Sequence, residues 1–374
     1  MDATTSETHV RSGGPITDLR VSAYEIPTDF PEADGTLEWD KTTLVLVELT
    51  AGDRHGLGFT YGDVAVAELI EGKLASLVTG SDAFDNHRMH DTMQRQVRNL
   101  GHPGITAMAI SAVDVALWDL KARLLELPLV QLLGAVADGI EVYGSGGFTS
   151  YSIPQLQKQL GDWTASGIRA VKMKIGTHPE DDLIRVRAAR EAIGSDTGLF
   201  VDANGAYSRK QALKFAEAFA DLGVEWFEEP VSSDDLEGLR LLRDRAPSGM
   251  KIAAGEYGYD LFYFRRMLEA GAVDVLQADG TRCGGITGFV HAGALALAQP
   301  LPFSAHTAPS IHAHPCCALS NMYNLEYFHD HVRIEHMLFD GTLTPAGGKL
   351  RPDLSRPGLG LEFKRADAER FAVR

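Results

Sequence analysis

The chain has few cysteines, no long apolar run and fewer basic than acidic residues. Three cysteines among 374 residues, two of them adjacent, exclude a disulfide framework and favour a reducing compartment. The longest apolar stretch, near residues 293–298, is too short to span a membrane, and the polar first fifteen residues do not resemble a signal peptide. A cytoplasmic location is therefore expected.

The charge balance also limits the partners. With 35 basic and 51 acidic residues the net charge is −16, so nucleic acid and anionic membrane surfaces are unfavourable partners. A small acidic substrate is not excluded, because a local cationic site can overcome the overall field. The composition, 44% hydrophobic and 23% charged, is that of an ordinary globular protein.

The first part of the chain predicts an α+β domain over residues 16–138, after a disordered tail at residues 1–15. Thr42–Leu49 is a strand-like run that ends in a turn, and Gly56–Tyr61 is its expected hairpin partner. Two prolines and a glycine in and beside residues 28–39 predict a long loop. Residues 107–120 have apolar side chains at three- and four-residue steps, which predicts an amphipathic helix.

From about residue 140, short β-branched runs alternate with helical segments. The predicted strands are Glu141–Tyr143, Ala170–Ile175, Leu199–Val201, Val224–Phe227, Ile252–Ala254, Val273–Gln277, Pro302–Ser304 and Leu325–Tyr327. About eight such units favour a closed (β/α) barrel over residues 139–335. A doubly wound open sheet is the alternative, but no G-x-G-x-x-G motif opens a helix after an early strand. Residues 336–374 are predicted to pack back on the N-terminal domain.

Charged or polar side chains follow most of these strands. They are Lys172, Lys174, Asp202, Asn204, Glu228, Glu229, Glu256, Asp279, His306 and Glu326. In a parallel barrel the carboxyl ends of all strands open on one rim, where such enzymes hold their active sites. The side chains are therefore expected to meet at one mouth.

Three of them, Asp202, Glu228 and Glu256, are carboxylates on consecutive strands. Without a cation they would repel one another. Three oxygen ligands that leave coordination positions open suit Mg²⁺, and the absence of cysteine and histidine from the set argues against zinc. The sequence therefore predicts a magnesium site.

The ordered set Lys172-Met173-Lys174, Asp202-Ala203-Asn204, Glu228-Glu229-Pro230, Gly255-Glu256, Asp279, His306 and Glu326 resembles the enolase superfamily, specifically its mandelate racemase subgroup. The resemblance covers nearly the whole chain. It implies an α+β capping domain over a modified (β/α)7β TIM-like barrel, with one Mg²⁺ per subunit and a homo-oligomeric assembly. Members of the family abstract the proton α to a carboxylate.

The resemblance also implies roles for the remaining polar residues. Lys174 is expected to act as base or acid on one face of the α-carbon, with its pKa depressed by Lys172; a carboxylate anchor is the alternative role for Lys174. His306, oriented by Asp279, is expected to serve the opposite face. Glu326, if protonated, donates to the substrate carboxylate, and Asn204 supports the metal shell.

The two-base site permits several reactions. Dehydration of a sugar acid to a 2-keto-3-deoxy product is the preferred prediction, because it is the commoner use of this arrangement in the subgroup. Racemisation or epimerisation of a 2-hydroxy acid and cycloisomerisation of a sugar-acid lactone are the alternatives. A protein that binds without turnover is disfavoured, because Lys174, His306 and Asp279 are all present.

Specificity is expected to come from the capping domain, which would close over the barrel. Trp39 and Tyr61 are the candidate substrate-facing aromatics, with packing as their alternative role. Arg282 would bind a distal carboxylate or form an ion pair with a neighbour. Five other histidines lack an acidic partner pattern and are predicted to be structural: His312, His314, His329, His331 and His336. Tyr257 stands where the family pattern would place an asparagine.

Overall fold

The computed structural model describes residues 12–374. Most of the predicted tail, residues 1–11, therefore lies outside the described residues. The rest of it contacts the N-terminal domain: the backbone N–H of Gly13 donates to Asp82 Oδ1 (3.0 Å), and Pro15 forms an isolated bridge with the same residue.

The N-terminal region is an antiparallel sheet covered by helices. Strands β1 (Asp18–Ala33), β2 (Glu38–Ala51) and β3 (Arg54–Tyr61) pair in that order. The helices that follow are α1 (Ala65–Leu69), a π-helical turn (Ile70–Leu74), α2 (Ala75–Val78), α3 (Asn86–Gln96), a 3₁₀ turn (Arg98–Leu100), α4 (Ile105–Leu124) and α5 (Leu129–Leu133). The apolar run in β2 is buried on both faces, because α4 covers one face and the C-terminal part of the chain covers the other.

The prediction of a long loop at residues 28–39 is wrong. Strand β1 continues to Ala33 and β2 begins at Glu38, which leaves a four-residue connection. Because β1 is at the edge of its sheet, the missing N–H groups of Pro27 and Pro31 cost no hydrogen bond to a neighbouring strand. The register shifts between Pro27 and Glu32, and this irregularity absorbs the proline segment.

The second region is a closed barrel, as predicted. Within residues 12–374 its eight parallel strands are β4 (Ile140–Gly146), β5 (Ala170–Lys174), β6 (Gly198–Asp202), β7 (Val224–Glu228), β8 (Lys251–Ala254), β9 (Val275–Ala278), β10 (Phe303–Ala305) and β11 (Met322–Phe328). Each strand pairs with the next along the chain, and β11 pairs with β4 to close the barrel.

Seven helices connect these strands, which gives the (β/α)7β order in the part of the chain that is described. They are α6 (Ile153–Ala165), α7 (Asp182–Ile193), α8 (Arg209–Ala220), α9 (Leu236–Arg245), α10 (Leu261–Glu269), α11 (Gly285–Ala298) and α12 (Pro309–Cys316). Side chains alternate along each strand, so Val171 and Met173 pack under the helices while Lys172 and Lys174 point into the barrel.

After the barrel, α13 (His329–Leu338) leads into the C-terminal segment. Its short elements are β12 (Phe339–Asp340), β13 (Lys349–Leu350), β14 (Glu362–Phe363), α14 (Arg365–Ala368) and a 3₁₀ turn (Glu369–Phe371). Residues 359–374 lie against the N-terminal sheet; for example, Val373 N–H donates to the Ala23 carbonyl (2.9 Å). Among the described residues, no helix is both long and apolar enough to cross a membrane.

Candidate active site

A cavity of about 650 Å³ lies between the carboxyl ends of the barrel strands and the N-terminal sheet. Its barrel wall consists of Lys174, Asn204, Glu256, Tyr257, Arg282, His306, Thr307, Phe328 and His331. Its other wall consists of Asp34, Leu37, Trp39, Lys41, Thr42, Thr43, Tyr61, Gly62 and Asp63. The N-terminal sheet therefore forms a cap over the mouth of the barrel.

Three carboxylates converge beside this cavity, and one of them, Glu256, lines it. Asp202 ends β6, Glu228 ends β7 and Glu256 follows β8; each offers an oxygen within 4.8 Å of the others, and all three residues are buried. The strand register places Asp202 level with Glu228. Three buried oxygen ligands without sulfur or imidazole fit a hard divalent cation such as Mg²⁺.

Lys172 lies beneath the carboxylates and is completely buried. Its Nζ forms an ion pair with Glu228 and lies 2.9 Å from Glu326 Oε1 and 3.5 Å from Asp202 Oδ2. Burial alone would lower the pKa of Lys172, but the Glu228 and Glu326 charges outweigh it and raise the pKa. Trp226 Nε1–H also donates to Glu228 Oε2 (2.8 Å). Lys172 does not line the cavity, so it compensates charge from below.

Lys174 follows Lys172 on the same inner face but reaches the cavity. Its Nζ lies 2.5 Å from Asp202 Oδ2. Burial and Lys172 lower the pKa of Lys174, the second as predicted, but the charges of Asp202, Glu256 and Glu326 together outweigh them and raise the pKa. A cation bound by Asp202 would weaken that attraction, because it would neutralise the carboxylate.

His306 faces the cavity from the end of β10. Its Nδ1 lies 2.8 Å from Asp279 Oδ2, and its Nε2 lies 3.1 Å from Glu256 Oε2 and 3.6 Å from Glu326 Oε2. Thr281 holds Asp279 by donating from its backbone N–H and its hydroxyl to Oδ1, both at 2.7 Å. Burial lowers the pKa of His306, but these carboxylates outweigh it and raise the pKa to about 9.

Glu326 is buried beside Lys172 and His306. Burial raises the pKa of Glu326, but the charges of Lys172, His306 and Lys174 outweigh burial and lower the pKa. Its Oε2 accepts a hydrogen bond from the backbone N–H of Thr307 (3.2 Å).

Two further predicted residues lie beside the carboxylates. Asn204 lines the cavity; its backbone N–H donates to Asp202 Oδ1 (2.9 Å), and its buried Oδ1 accepts no hydrogen bond within residues 12–374. Arg282 also lines the cavity, but its guanidinium lies 3.5 Å from Glu256 Oε1 and 3.6 Å from Asp279 Oδ2. Arg282 thus forms the ion pairs that were the alternative to binding a distal carboxylate.

Trp39 and Tyr61 form part of the cap wall. Trp39 Nε1–H donates to Glu32 Oε2 (2.9 Å). Tyr61 stacks on His331, with 3.5 Å between ring centroids and 15° between the planes. Both aromatic residues therefore border the cavity while they also pack against neighbours.

His331 is a cavity residue that the sequence interpretation missed. It was predicted to be structural, but it lines the cavity from α13, three residues after the end of β11. Its position just beyond the carboxyl end of a barrel strand was a usable signal. By contrast, His314 lies outside the cavity wall, where its Nδ1 accepts from the Val130 N–H (3.2 Å) and its Nε2 lies 3.2 Å from the Leu359 carbonyl oxygen.

Glu229 belongs to the predicted set of polar side chains, but the sequence analysis gave it no role. It is buried beside the carboxylates, and its Oε1 has no hydrogen-bond partner among the described residues. Burial and the nearby charge of Glu256 hold its pKa well above the usual range. The acidic doublet Glu228-Glu229 marked this position in the sequence.

Two family descriptions match the chain. Residues 20–134 match the mandelate racemase / muconate lactonizing enzyme N-terminal domain, and residues 155–368 match the enolase C-terminal domain-like family. The chain therefore belongs to the mandelate racemase and muconate lactonizing enzyme group of the enolase superfamily, a group of enzymes.

Two curated relatives are enzymes named for sugar acids or an anhydro sugar acid. The chain is 32% identical to the 3,6-anhydro-alpha-L-galactonate cycloisomerase of Streptomyces coelicolor, over 93% of this chain and 97% of the relative. It is 29% identical to the L-talarate/galactarate dehydratase of Salmonella typhimurium, over 96% of this chain and 91% of the relative.

Solved structures of the same group have the same fold. A mandelate racemase/muconate lactonizing enzyme-like protein from Rubrobacter xylanophilus is 58% identical and has a TM-score of 0.94, covering 96% of this chain and all of that one. A racemase from Streptomyces coelicolor solved with bound magnesium is 30% identical and has a TM-score of 0.90, with the same coverage.

Proposed function

We propose that this protein is a magnesium-dependent dehydratase that converts a sugar acid to its 2-keto-3-deoxy product. The observation that supports this most is the single cavity in which Lys174 and His306 both lie beside the carboxylate cluster. The dehydratases and cycloisomerases among its relatives support the same chemical class.

Asp202, Glu228 and Glu256 would hold the ion, and Asn204 would support this shell. When bound there, Mg²⁺ supplies positive charge that acidifies the α-proton and stabilises the enolate. Lys172 stays below the cluster and keeps Glu228 and Glu326 in place through its ion pairs.

Lys174 takes the proton from the α-carbon in this proposal. The electron pair of that C–H bond forms the enolate, which then expels the β-hydroxyl as the C–O bond breaks. His306 gives its Nε2 proton to the departing oxygen, so that water leaves and an enol remains, which becomes the 2-keto acid. Asp279 orients the imidazole through Nδ1 (2.8 Å), which leaves Nε2 toward the cavity.

The test is turnover of a panel of mono- and diacid sugars by the Mg²⁺-loaded enzyme, with the 2-keto product detected by semicarbazide. Exchange of the α-proton is followed separately in deuterated water. A keto product from at least one acid is expected. No product and no exchange with any acid would contradict the proposal and favour a binding protein.

Two variants assign the steps. Lys174→Ala should lose both exchange and product, whereas His306→Asn should lose product but retain exchange, because it removes only the acid. His55→Ala is the matched control, since His55 is exposed near the start of β3 and does not line the cavity. The opposite pattern would exchange the two roles.

Cycloisomerisation of a lactone or anhydro acid is the second candidate, favoured by the 32% identity to the anhydrogalactonate cycloisomerase over nearly the full chain. It requires the same proton abstraction but a ring oxygen as the leaving group. NMR of the products with lactone and anhydro substrates separates it from dehydration. Exchange with inversion and no keto product would instead indicate an epimerase.

A further inference from the structure

A second group of metal-binding side chains lies behind the cap wall of the cavity. Asp29 and Glu32 belong to β1, and His329 is the first residue of α13. Each offers a ligand atom within 4.8 Å of the others. His329 Nε2 is 3.0 Å from Asp29 Oδ2, a separation that suits two ligands of one ion at bond lengths of about 2 Å.

Glu32 is the buried member of this cluster, and one of its carboxylate oxygens lacks a hydrogen-bond partner in the described part of the chain. The residue is completely buried, and its Oε1 has no hydrogen-bond partner within residues 12–374, whereas Oε2 accepts only from the Trp39 indole. An unpartnered buried carboxylate oxygen is costly unless a cation or a proton satisfies it. The Trp39 bond also fixes the orientation of the carboxylate, as outer hydrogen bonds do for metal ligands.

The surroundings of Glu32 are negatively charged. The negative charges of Asp29 and Asp330 disfavour the ionised form of the Glu32 carboxyl, and the positive charge of Arg333 favours it. The Arg333 guanidinium is already engaged, since it donates to Asp330 Oδ1 (2.6 Å) and to the Pro27 carbonyl (2.7 Å). The protein therefore supplies little positive charge to the unpartnered oxygen of Glu32.

We propose that Asp29, Glu32 and His329 form a second divalent-cation site, distinct from the carboxylate cluster of the barrel. One imidazole nitrogen with two carboxylates favours a borderline metal such as Zn²⁺ over Mg²⁺. The bound ion joins the cap strand β1 to the first turn of α13. Because Trp39 lines the cavity and donates to Glu32, the ion also fixes one wall of the active site from behind.

The experiment counts zinc. The intact protein is dialysed against micromolar Zn²⁺, and bound metal is measured by elemental mass spectrometry for the wild type, Asp202→Asn, His329→Ala and the double variant. We expect His329→Ala to remove one zinc ion from the wild type and one from Asp202→Asn, whatever the barrel carboxylates bind, and the double variant to hold none. A zinc count that His329→Ala leaves unchanged in either background would overturn the proposal.

Further variants keep the test decisive if a protein fails to fold. Glu32→Gln removes the charge but keeps the size of the side chain and should lose the same zinc as His329→Ala. His55→Ala, at an exposed histidine near the start of β3, should bind as much zinc as the wild type. Zinc should also raise the thermal midpoint of Asp202→Asn but not that of the double variant. An unchanged midpoint in Asp202→Asn contradicts a cation that joins cap and barrel.

Discussion

The barrel and the cap contribute to the cavity in different ways. The barrel side chains come from consecutive strand ends, where the register itself places Lys174 level with Asp202 and Asp202 level with Glu228. The cap contributes residues of a separate sheet, such as Trp39 and Tyr61, whose positions depend on how the two regions pack. The proposed reacting groups are thus held by one sheet, whereas the cap wall of the cavity is held by contacts between two regions.

Buried hydrogen bonds join the two regions. The carboxylate of Asp114 on α4 accepts from the backbone N–H (3.0 Å) and hydroxyl (2.8 Å) of Thr287 on α11. Thr60 in the cap sheet donates to the Thr281 carbonyl (2.7 Å), close to Asp279. Substitutions in the barrel, at these contacts between barrel and cap, and in the cap should therefore have different effects on turnover, stability and substrate binding.

Asp202→Asn in the barrel should have the largest effect. It removes one charged ligand from the cluster and the partner of Lys174, so kcat should fall by about 10⁴-fold or more, roughly 5 kcal/mol. Magnesium affinity, measured by calorimetry, should fall with it. Asp196→Asn, at a surface carboxylate that accepts a hydrogen bond from the Ser195 hydroxyl, is the control. Retained turnover in Asp202→Asn would refute the assignment of this residue.

Lys172→Met tests the charge compensation below the cavity. It leaves Glu228 and Glu326 buried without their ammonium partner, and we expect the free energy of unfolding to fall by about 3–5 kcal/mol. Urea denaturation in the presence of a chelator measures this. Lys158→Met, which breaks a surface pair with Asp162, should cost less than about 1 kcal/mol. Equal losses in the two variants would show that Lys172 is not a buried counter-charge.

The buried carboxyl of Asp114, where α4 of the cap contacts α11 of the barrel, should make the free energy of unfolding depend on pH. Burial raises its pKa to about 7, although the Thr287 hydrogen bonds oppose the shift. In the unfolded chain Asp114 loses its proton near pH 4, whereas the folded state keeps the proton up to about pH 7. The stability that the protonated Asp114 contributes therefore declines as pH rises from 4 and is lost above about pH 7.

The measurement is the difference in unfolding free energy between wild type and Asp114→Asn. From about pH 5 to pH 7 this difference should fall by about 2–3 kcal/mol and then level off. Asp91→Asn, at an exposed residue paired with Arg95, should show no such slope relative to wild type. If the difference in unfolding free energy for Asp114→Asn does not change with pH, the pKa of Asp114 is not raised in the folded state.

The difference between positions fixed by a strand and positions fixed by tertiary packing explains what could be predicted from the sequence. Lys174, Asp202 and His306 were identifiable because a strand fixes the direction of its side chains and a parallel barrel gathers the strand ends. The charge states of Glu326 and Lys174 were not predictable, since they depend on distances across the barrel. The strand at residues 28–33 and the position of His331 also depend on tertiary packing, which local sequence patterns do not contain.

Trp39→Phe in the cap should have the smallest effect. The variant keeps an aromatic ring at the cavity wall but loses the indole donor to Glu32 (2.9 Å), so the wall loosens while Lys174 and His306 are untouched. We expect KM for the substrate found in the panel to rise by about three- to tenfold, roughly 1 kcal/mol, with kcat nearly unchanged. Phe30→Leu, at an exposed cap position, serves as the control. A large fall in kcat for Trp39→Phe would mean that the cap also sets the geometry of the reacting groups, and the division between the two regions would fail.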